Sequence, residues 1–372
     1  MTHFLQDILR QPEEMKGAIN YLRGDALPTL ERAAGAVRKG RHVYLTGIGS
    51  SWHAALSAQS LFHGLGFPVH ARDVAELLHF DRFPTGSVII LISRSGRSAE
   101  VVNLLPKARQ SGATVIGVTN SADNSLAQQA HLPLVIPVRP DHGISVNSYS
   151  TLSLAAGALA SAVVGSFDAA WAVSLERAVS ETVNAVAGWQ KQIADSSWLA
   201  PRSTYYFLAR SSSLGSCNEA RLLWEEGVKS PATALGTGAF RHGPQEMVAP
   251  DVRFGIWIDG QEMREQDLAV AWDLARLGAS VMLIGQDLPG QSPGLSFHLP
   301  RIPAAWQFLI DIIPAQLAAE RLSRLSGVDC DSFRICPYVV ETESGLLPER
   351  MGDPEGQTPL ESRDDRSTGS SS

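Results

Sequence analysis

Val88-Ile89-Ile90-Leu91-Ile92 runs directly into Ser93-Arg94-Ser95-Gly96-Arg97-Ser98, and from Ala99 onward the apolar residues fall at helical spacing. A short run rich in β-branched residues that leads through a tight turn into a helix is the mark of a βα unit in a parallel sheet. In that turn, hydroxyls, backbone N–H groups and a helix N-terminus converge at the carboxyl end of a strand, which is how a phosphate is held without a metal. A serine before a helix is also an ordinary N-cap. One cap needs only one hydroxyl, however, and here three serines surround a glycine.

Outward from this unit the pattern repeats. Strand candidates in the first half are residues 43–46, 88–93, 113–118 and 132–138, and in the second half 205–209, 253–258, 280–284 and 296–299. Helical periodicity marks 51–65, 99–110, 152–164 and 266–277. The halves can be laid on one another: Val43-Tyr44-Leu45-Thr46 on Tyr206-Phe207-Leu208-Ala209, Val88-Ile89-Ile90-Leu91 on Phe254-Gly255-Ile256-Trp257, and Gly112–Ile116 on Gly278–Met282. The fold class expected is therefore α/β, with two similar doubly wound parallel-sheet domains, each placing a ligand beyond the carboxyl ends of its strands.

The organisation expected is two N-terminal helices in residues 1–40, a first domain at 41–166, a linking helix within 167–200, a second domain at 201–342 and a disordered tail at 343–372. The second N-terminal helix should end near Lys39-Gly40, with Gly at a cap position. The linking helix is read from an amphipathic pattern over 167–193 that meets no Gly or Pro before Gly188. The tail is rich in Ser, Gly, Pro and charge and has no apolar face.

Composition narrows the function. The 372 residues carry 44% hydrophobic and 19% charged side chains, as globular proteins do, at a formal net charge of -7. With no Lys/Arg run, that charge argues against a nucleic-acid partner. No apolar run approaches bilayer length, and the N-terminus lacks a basic-then-apolar leader, so no membrane association and a cytoplasmic location are expected. Cys217, Cys330 and Cys336 have neither disulfide-framework nor zinc-site spacing, and there is no His-Glu-x-x-His; no metal or cofactor is expected.

Three further motifs could carry chemistry. Thr46-Gly47-Ile48-Gly49-Ser50-Ser51 resembles a dinucleotide-binding turn, but alanines stand where its third glycine would be and no acidic residue ends the next strand; Ser50 and Ser51 would instead be donors to a ligand at the sheet edge. Leu222-Leu223-Trp224-Glu225-Glu226-Gly227 puts two carboxylates at a helix end. Phe240-Arg241-His242-Gly243-Pro244 adds an imidazole. A carboxylate and an imidazole suffice for proton transfer, although a helix-end Glu can be a solvated face residue and His-Gly-Pro a turn before a helix.

Taken together, these segments resemble the sugar isomerase (SIS) domain family over roughly residues 3–341, and most closely the double-SIS isomerase half of glucosamine-6-phosphate synthases and their stand-alone relatives. The resemblance implies flavodoxin-like domains. The family's Gly-Thr-Ser turn falls on Gly49, Ser50 and Ser51, and its Ser-Gln-Ser-Gly-x-Thr phosphate loop on Ser93, Arg94, Ser95, Gly96, Arg97 and Ser98. A looser match puts a substrate-binding role on Ser145, within Gly143–Asn147. The family's proton-transferring glutamate falls on Glu226, and the histidine that opens the sugar ring across a dimer interface falls on His242. The implied partners are a phosphorylated amino or keto sugar and a second copy of the chain in a homodimer with a shared site.

Two departures bear on activity. The synthases begin with a glutaminase domain, and this chain starts at the isomerase half, which suggests that it does not draw ammonia from glutamine. Their imine-forming lysine near the C-terminus corresponds to Cys336 here, and a second lysine near the glutamate to Leu223; a thiol forms no Schiff base. A substrate already bearing nitrogen at C1 or C2, as for stand-alone deaminases and deglycases, needs no such lysine. Aldose–ketose isomerisation, and a non-catalytic sugar-phosphate sensor, are the alternatives.

Overall fold

The computed structural model describes residues 1–346. Two five-stranded sheets, parallel throughout, organise it. The first holds β1 (His42–Thr46), β2 (His70–Ala71), β3 (Ser87–Ile92), β4 (Thr114–Thr119) and β5 (Leu132–Val135), in the order β2-β1-β3-β4-β5. The second holds β6 (Thr204–Ala209), β7 (Ala232–Gly236), β8 (Val252–Trp257), β9 (Ser280–Gly285) and β10 (Leu295–His298), in the order β10-β9-β8-β6-β7. Numbered from its own first strand, each sheet runs 2-1-3-4-5, the flavodoxin-like order, with its switch point between the first and third strands.

The eight strands expected from sequence are all present, trimmed or shifted by a few residues. Two were missed, and for the same reason. β2 is two residues long, and β7 is Ala-Thr-Ala-Leu-Gly at half-buried positions; neither carries the β-branched run that betrays β3, which is buried along its whole length. β5 holds Pro133, tolerated because β5 is an edge.

Helices α1 (His3–Arg23) and α2 (Leu27–Lys39) precede the first sheet, and Gly40 closes α2 by donating its N–H to the carbonyls of Ala36 and Val37. Around the sheet lie α3 (Ser50–Gly64), α4 (Val74–Phe80), α5 (Ala99–Gln110), α6 (Ser125–Gln129) and α7 (Asn147–Val164). The amphipathic pattern after residue 167 becomes α8 (Ala169–Asp195), capped by Asp168, whose side chain accepts the Trp171 N–H. The second half adds α9 (Ser213–Leu223), α10 (Thr237–Phe240), α11 (Arg264–Arg276) and α12 (Ile313–Leu325).

One apolar core joins the inner faces of both sheets through α1, α7, α8, α9 and α12, while one smaller cluster seals the outer face of each sheet. Of the expected tail, residues 343–346 form no helix or strand, and 347–372 lie outside the described residues. Among the described residues no helix is long and apolar enough to cross a membrane.

Candidate functional site

The Ser93–Ser98 turn leaves β3 with a specific internal scaffold. The Gly96 N–H donates to Ser93 Oγ (3.1 Å) and the Arg97 N–H to Ser95 Oγ (3.2 Å), so the loop is wound by its own serines. From below, Thr119 Oγ1 donates to the Arg94 carbonyl (3.2 Å), and Asn124 Nδ2 donates to Thr119 Oγ1 (2.9 Å) while Asn124 Oδ1 caps α6. Gly96 sits at φ +59°, and a Cβ there would lie 2.2 Å from Asn124 Oδ1; only glycine meets both demands. Ser98 begins α5, yet its hydroxyl accepts no capping bond and stays free for a ligand.

A cavity of about 250 Å³ opens over this turn. Of the residues expected to bind or react, Gly49, Ser50, Ser51, Ser93, Arg94, Ser95, Ser98, Ser145 and Glu226 all line it, although they come from four separate stretches of chain. Cys336 lines it too. Arg97 is exposed and pairs loosely with Glu341 (3.8 Å). His242 is not among the lining residues: the exposed loop 241–243 carries it between α10 and the short 3₁₀ turn Pro244–Met247. The single chain therefore does not bring the imidazole to the carboxylate.

Glu226 sits where α9 widens into a single π-helical turn, Trp224–Val228. Such a bulge shifts the register of the side chains that follow and recurs at functional sites. Its neighbour Glu225 is occupied by Arg221 (2.7 Å), whereas Glu226 turns its carboxyl into the cavity without an ion-pair partner among the described residues. Burial pushes the Glu226 carboxyl up to about 7, and the Glu219 carboxylate adds to that, against the opposing pull of Arg94 and Lys229. Cys336 has its thiol pushed up as well, by burial first and by Glu226 second.

Behind the cavity lies a buried polar cluster. Ser50 Oγ donates to Glu219 Oε1 (2.9 Å), and His53 Nδ1 stands 2.7 Å from Glu219 Oε2. These three bridge α3 and α9, and so tie the first sheet's ligand turn to the helix that carries Glu226. The contact depends on Gly215, where a Cβ would stand 2.1 Å from Ser57 Oγ and 2.5 Å from the His53 carbonyl. Sequence reading overlooked Glu219, although its seven-residue spacing from Glu226 places it two turns back on the same face.

Sequence reading also overlooked what covers the cavity. The segment 333–343, leaving α12, lies across its mouth. Arg94 donates to the carbonyls of Gly143 and Tyr338 (both 3.2 Å) and to Ser145 Oγ (2.9 Å), with its guanidinium 4.2 Å from the Tyr338 ring centroid. The Ala99 N–H, first of α5, donates to the Val340 carbonyl (3.0 Å), and Glu343 meets His79 (2.9 Å) and Asn103 (3.1 Å). This strap has no helical or strand period, so nothing in its sequence predicts where it lies.

Residues 36–163 match the SIS domain family. The glutamine–fructose-6-phosphate aminotransferase (isomerizing) of Sulfurisphaera tokodaii is 26% identical over 349 residues, 92% of this chain and 57% of that protein. The enzyme of that name from Pyrobaculum aerophilum is 25% identical over 355 residues, 92% of this chain and 58% of that protein. The chain thus spans somewhat more than half the length of these curated relatives. Among solved structures, the C-terminal domain of glucosamine-fructose-6-phosphate aminotransferase from Francisella tularensis superposes with a TM-score of 0.78 at 18% identity, covering 88% of this chain and 97% of that one. Glucosamine-6-phosphate deaminase from Thermotoga maritima gives 0.77 at 22%, with 91% and 99% covered. Tagatose-6-phosphate ketose/aldose isomerase from Escherichia coli gives 0.74 at 21%, with 90% and 97% covered. At these identities the structural likeness establishes a shared fold.

Proposed function

Starting from the SIS domain of residues 36–163, we propose that this chain is an enzyme that moves a proton between C1 and C2 of a sugar 6-phosphate already carrying nitrogen. The observation that carries this reading is Glu226: a carboxyl with no ion pair among the described residues, facing the same cavity as the serine cradle and pushed up to about 7, where it both takes and gives a proton at neutral pH. One related protein is named for deamination of glucosamine 6-phosphate and another for amino transfer to fructose 6-phosphate, both sugar 6-phosphates.

In this mechanism Ser93, Ser95 and Ser98 hold the phosphate with neutral donors, Ser50 and Ser51 orient the sugar, and Arg94 and Ser145 close the wall. With glucosamine 6-phosphate in its open form, Glu226 takes the proton from C2 as the C1 oxygen takes one from water, leaving an enolamine, and then returns its own proton to C1. The resulting C2 iminium is hydrolysed by water to fructose 6-phosphate and ammonia. No lysine is required, because the substrate supplies the nitrogen, in keeping with Cys336 in the cavity wall. Glu100 also lines the cavity and has a buried oxygen without a partner among the described residues, an acceptor suited to a substrate amine. His242 would reach the sugar from a second copy and assist ring opening.

The strap favours a second reading, a non-catalytic sugar-phosphate sensor, because the Val340 carbonyl already occupies the first N–H of the cradle helix. Deuterium exchange decides between them. In deuterated water, glucosamine 6-phosphate or fructose 6-phosphate should gain deuterium at C1 or C2 with the wild-type chain and none with Glu226→Gln, which should still be thermally stabilised by the ligand. Ammonia release from glucosamine 6-phosphate separates deamination from simple aldose–ketose isomerisation. Stabilisation without exchange in the wild type would overturn the enzyme reading.

A further inference from the structure

A cavity larger than the one over the serine turn lies elsewhere in the molecule. A space of about 530 Å³ opens at the carboxyl ends of β6 and β8, walled by the turns 210–213 and 259–261. This is the switch point of the second sheet, the same topological place that the first cavity occupies in the first. Its third wall comes from the first half of the chain and from α8, so it lies at a junction between the two halves, where ligand sites tend to form.

Its chemistry differs from that of the first. Arg210, the cation at the rim, is spent on buried Asp267 (Nε to Oδ1 2.7 Å), and the loop after β8 offers the Asp259 carboxylate where the first domain offers serines. Such a site offers a phosphate no free side-chain cation among the described residues. The indoles of Trp171 and Trp306, 5.5 Å apart and edge to face, form an aromatic wall beside hydroxyls such as the Ser60–Ser211 pair (2.7 Å). Trp171 is 7% exposed, and its Nε1–H has no acceptor among the described residues. A buried donor left unmet is destabilising, and an occupant with a hydroxyl oxygen relieves it. Indole edges, mixed donors and acceptors and no net positive charge together suit an uncharged hexose unit.

We propose that this second cavity is a binding site for an uncharged sugar, separate from the phosphate cradle. Helix α3 links the two, with Ser50 and Ser51 at its start lining the first cavity and Ser60 and Leu61 near its end lining the second.

Calorimetric titration of the full chain with N-acetylglucosamine and glucose, and with glucose 6-phosphate and inorganic phosphate as the charged arms, tests this. At least one uncharged sugar should bind saturably, and equally well in a Ser95→Ala/Ser98→Ala chain whose cradle is disabled. Ser60→Phe, which fills the cavity, should weaken that binding at least tenfold, and Trp171→Phe, which removes only the N–H and part of the ring, severalfold. If Ser60→Phe does not fold, Trp171→Phe decides. No saturable heat with either uncharged sugar would overturn the assignment. So would binding of the phosphorylated ligands alone in the cradle-disabled chain, or uncharged-sugar affinity unchanged in the folded variants.

Discussion

At the scale of single residues, Glu226 and Ser98 make opposite predictions. Burial holds the Glu226 carboxyl at about 7 against its ordinary 4.5, so the folded chain binds this proton more tightly than the unfolded one. Below 4.5 both states are protonated and the group is neutral to stability; as pH rises from 4.5 to 7 the unfolded chain ionises while the fold resists, and stability is lost across that window. Glu226→Gln has no such loss. It should melt above the wild type at pH 8, by about 1–3 kcal/mol after allowing for partial exposure, and close to it at pH 4.5. Equal melting at both pH values would mean that the carboxyl is solvated. Ser98→Ala, by contrast, removes a hydroxyl on which no backbone group leans. Its stability should stay within about 0.5 kcal/mol of wild type while stabilisation by a sugar phosphate falls. Asn124→Ala, which uncaps α6 and frees Thr119, should cost about 1–3 kcal/mol. The serines were legible because a turn between strand and helix leaves its side chains few places to point. Asn124 was not, because its importance comes from the loop packed upon it.

At the scale of elements, the contact between α3 and α9 decides whether the candidate site is assembled at all. Gly215→Ala places a methyl against the His53 carbonyl and Ser57, and should destabilise by about 1–3 kcal/mol or more as the helices part. Urea denaturation measures the loss. The same substitution moves Glu219 away from Ser50 and His53, so substrate affinity should drop in step with stability; a variant as stable and as active as wild type would show that the two helices have room to spare. The strands with β-branched runs were legible for their composition. β2 and β7 were not, since strands this short or this small-sided are defined by the neighbours they bond to.

At the scale of the whole molecule, His242 poses the question of assembly. It sits on an exposed loop away from the cavity that holds Glu226, so catalysis by both requires a second copy. Mixing inactive Glu226→Gln and His242→Asn chains should restore activity, up to about a quarter of wild type if hybrid dimers form at random with one intact shared site. No recovery, with hybrids shown to form, would confine both groups to their own subunit or remove His242 from the reaction.

The sequence alone determined the α/β class, the repeated alternation of strand and helix and the serine turn, because hydrophobic period and turn chemistry are local properties of the chain. It also named nine of the cavity's lining residues. Only the tertiary structure decided that those residues meet over one cavity, that Glu226 stands unpaired on a π-turn with Glu219 behind it, and that the strap of residues 333–343 lies across the cavity mouth. The raised Glu226 carboxyl and the engaged Arg94 arise from desolvation and from partners up to 244 positions away in sequence. Burial and long-range pairing belong to the packed molecule, and no local pattern encodes them.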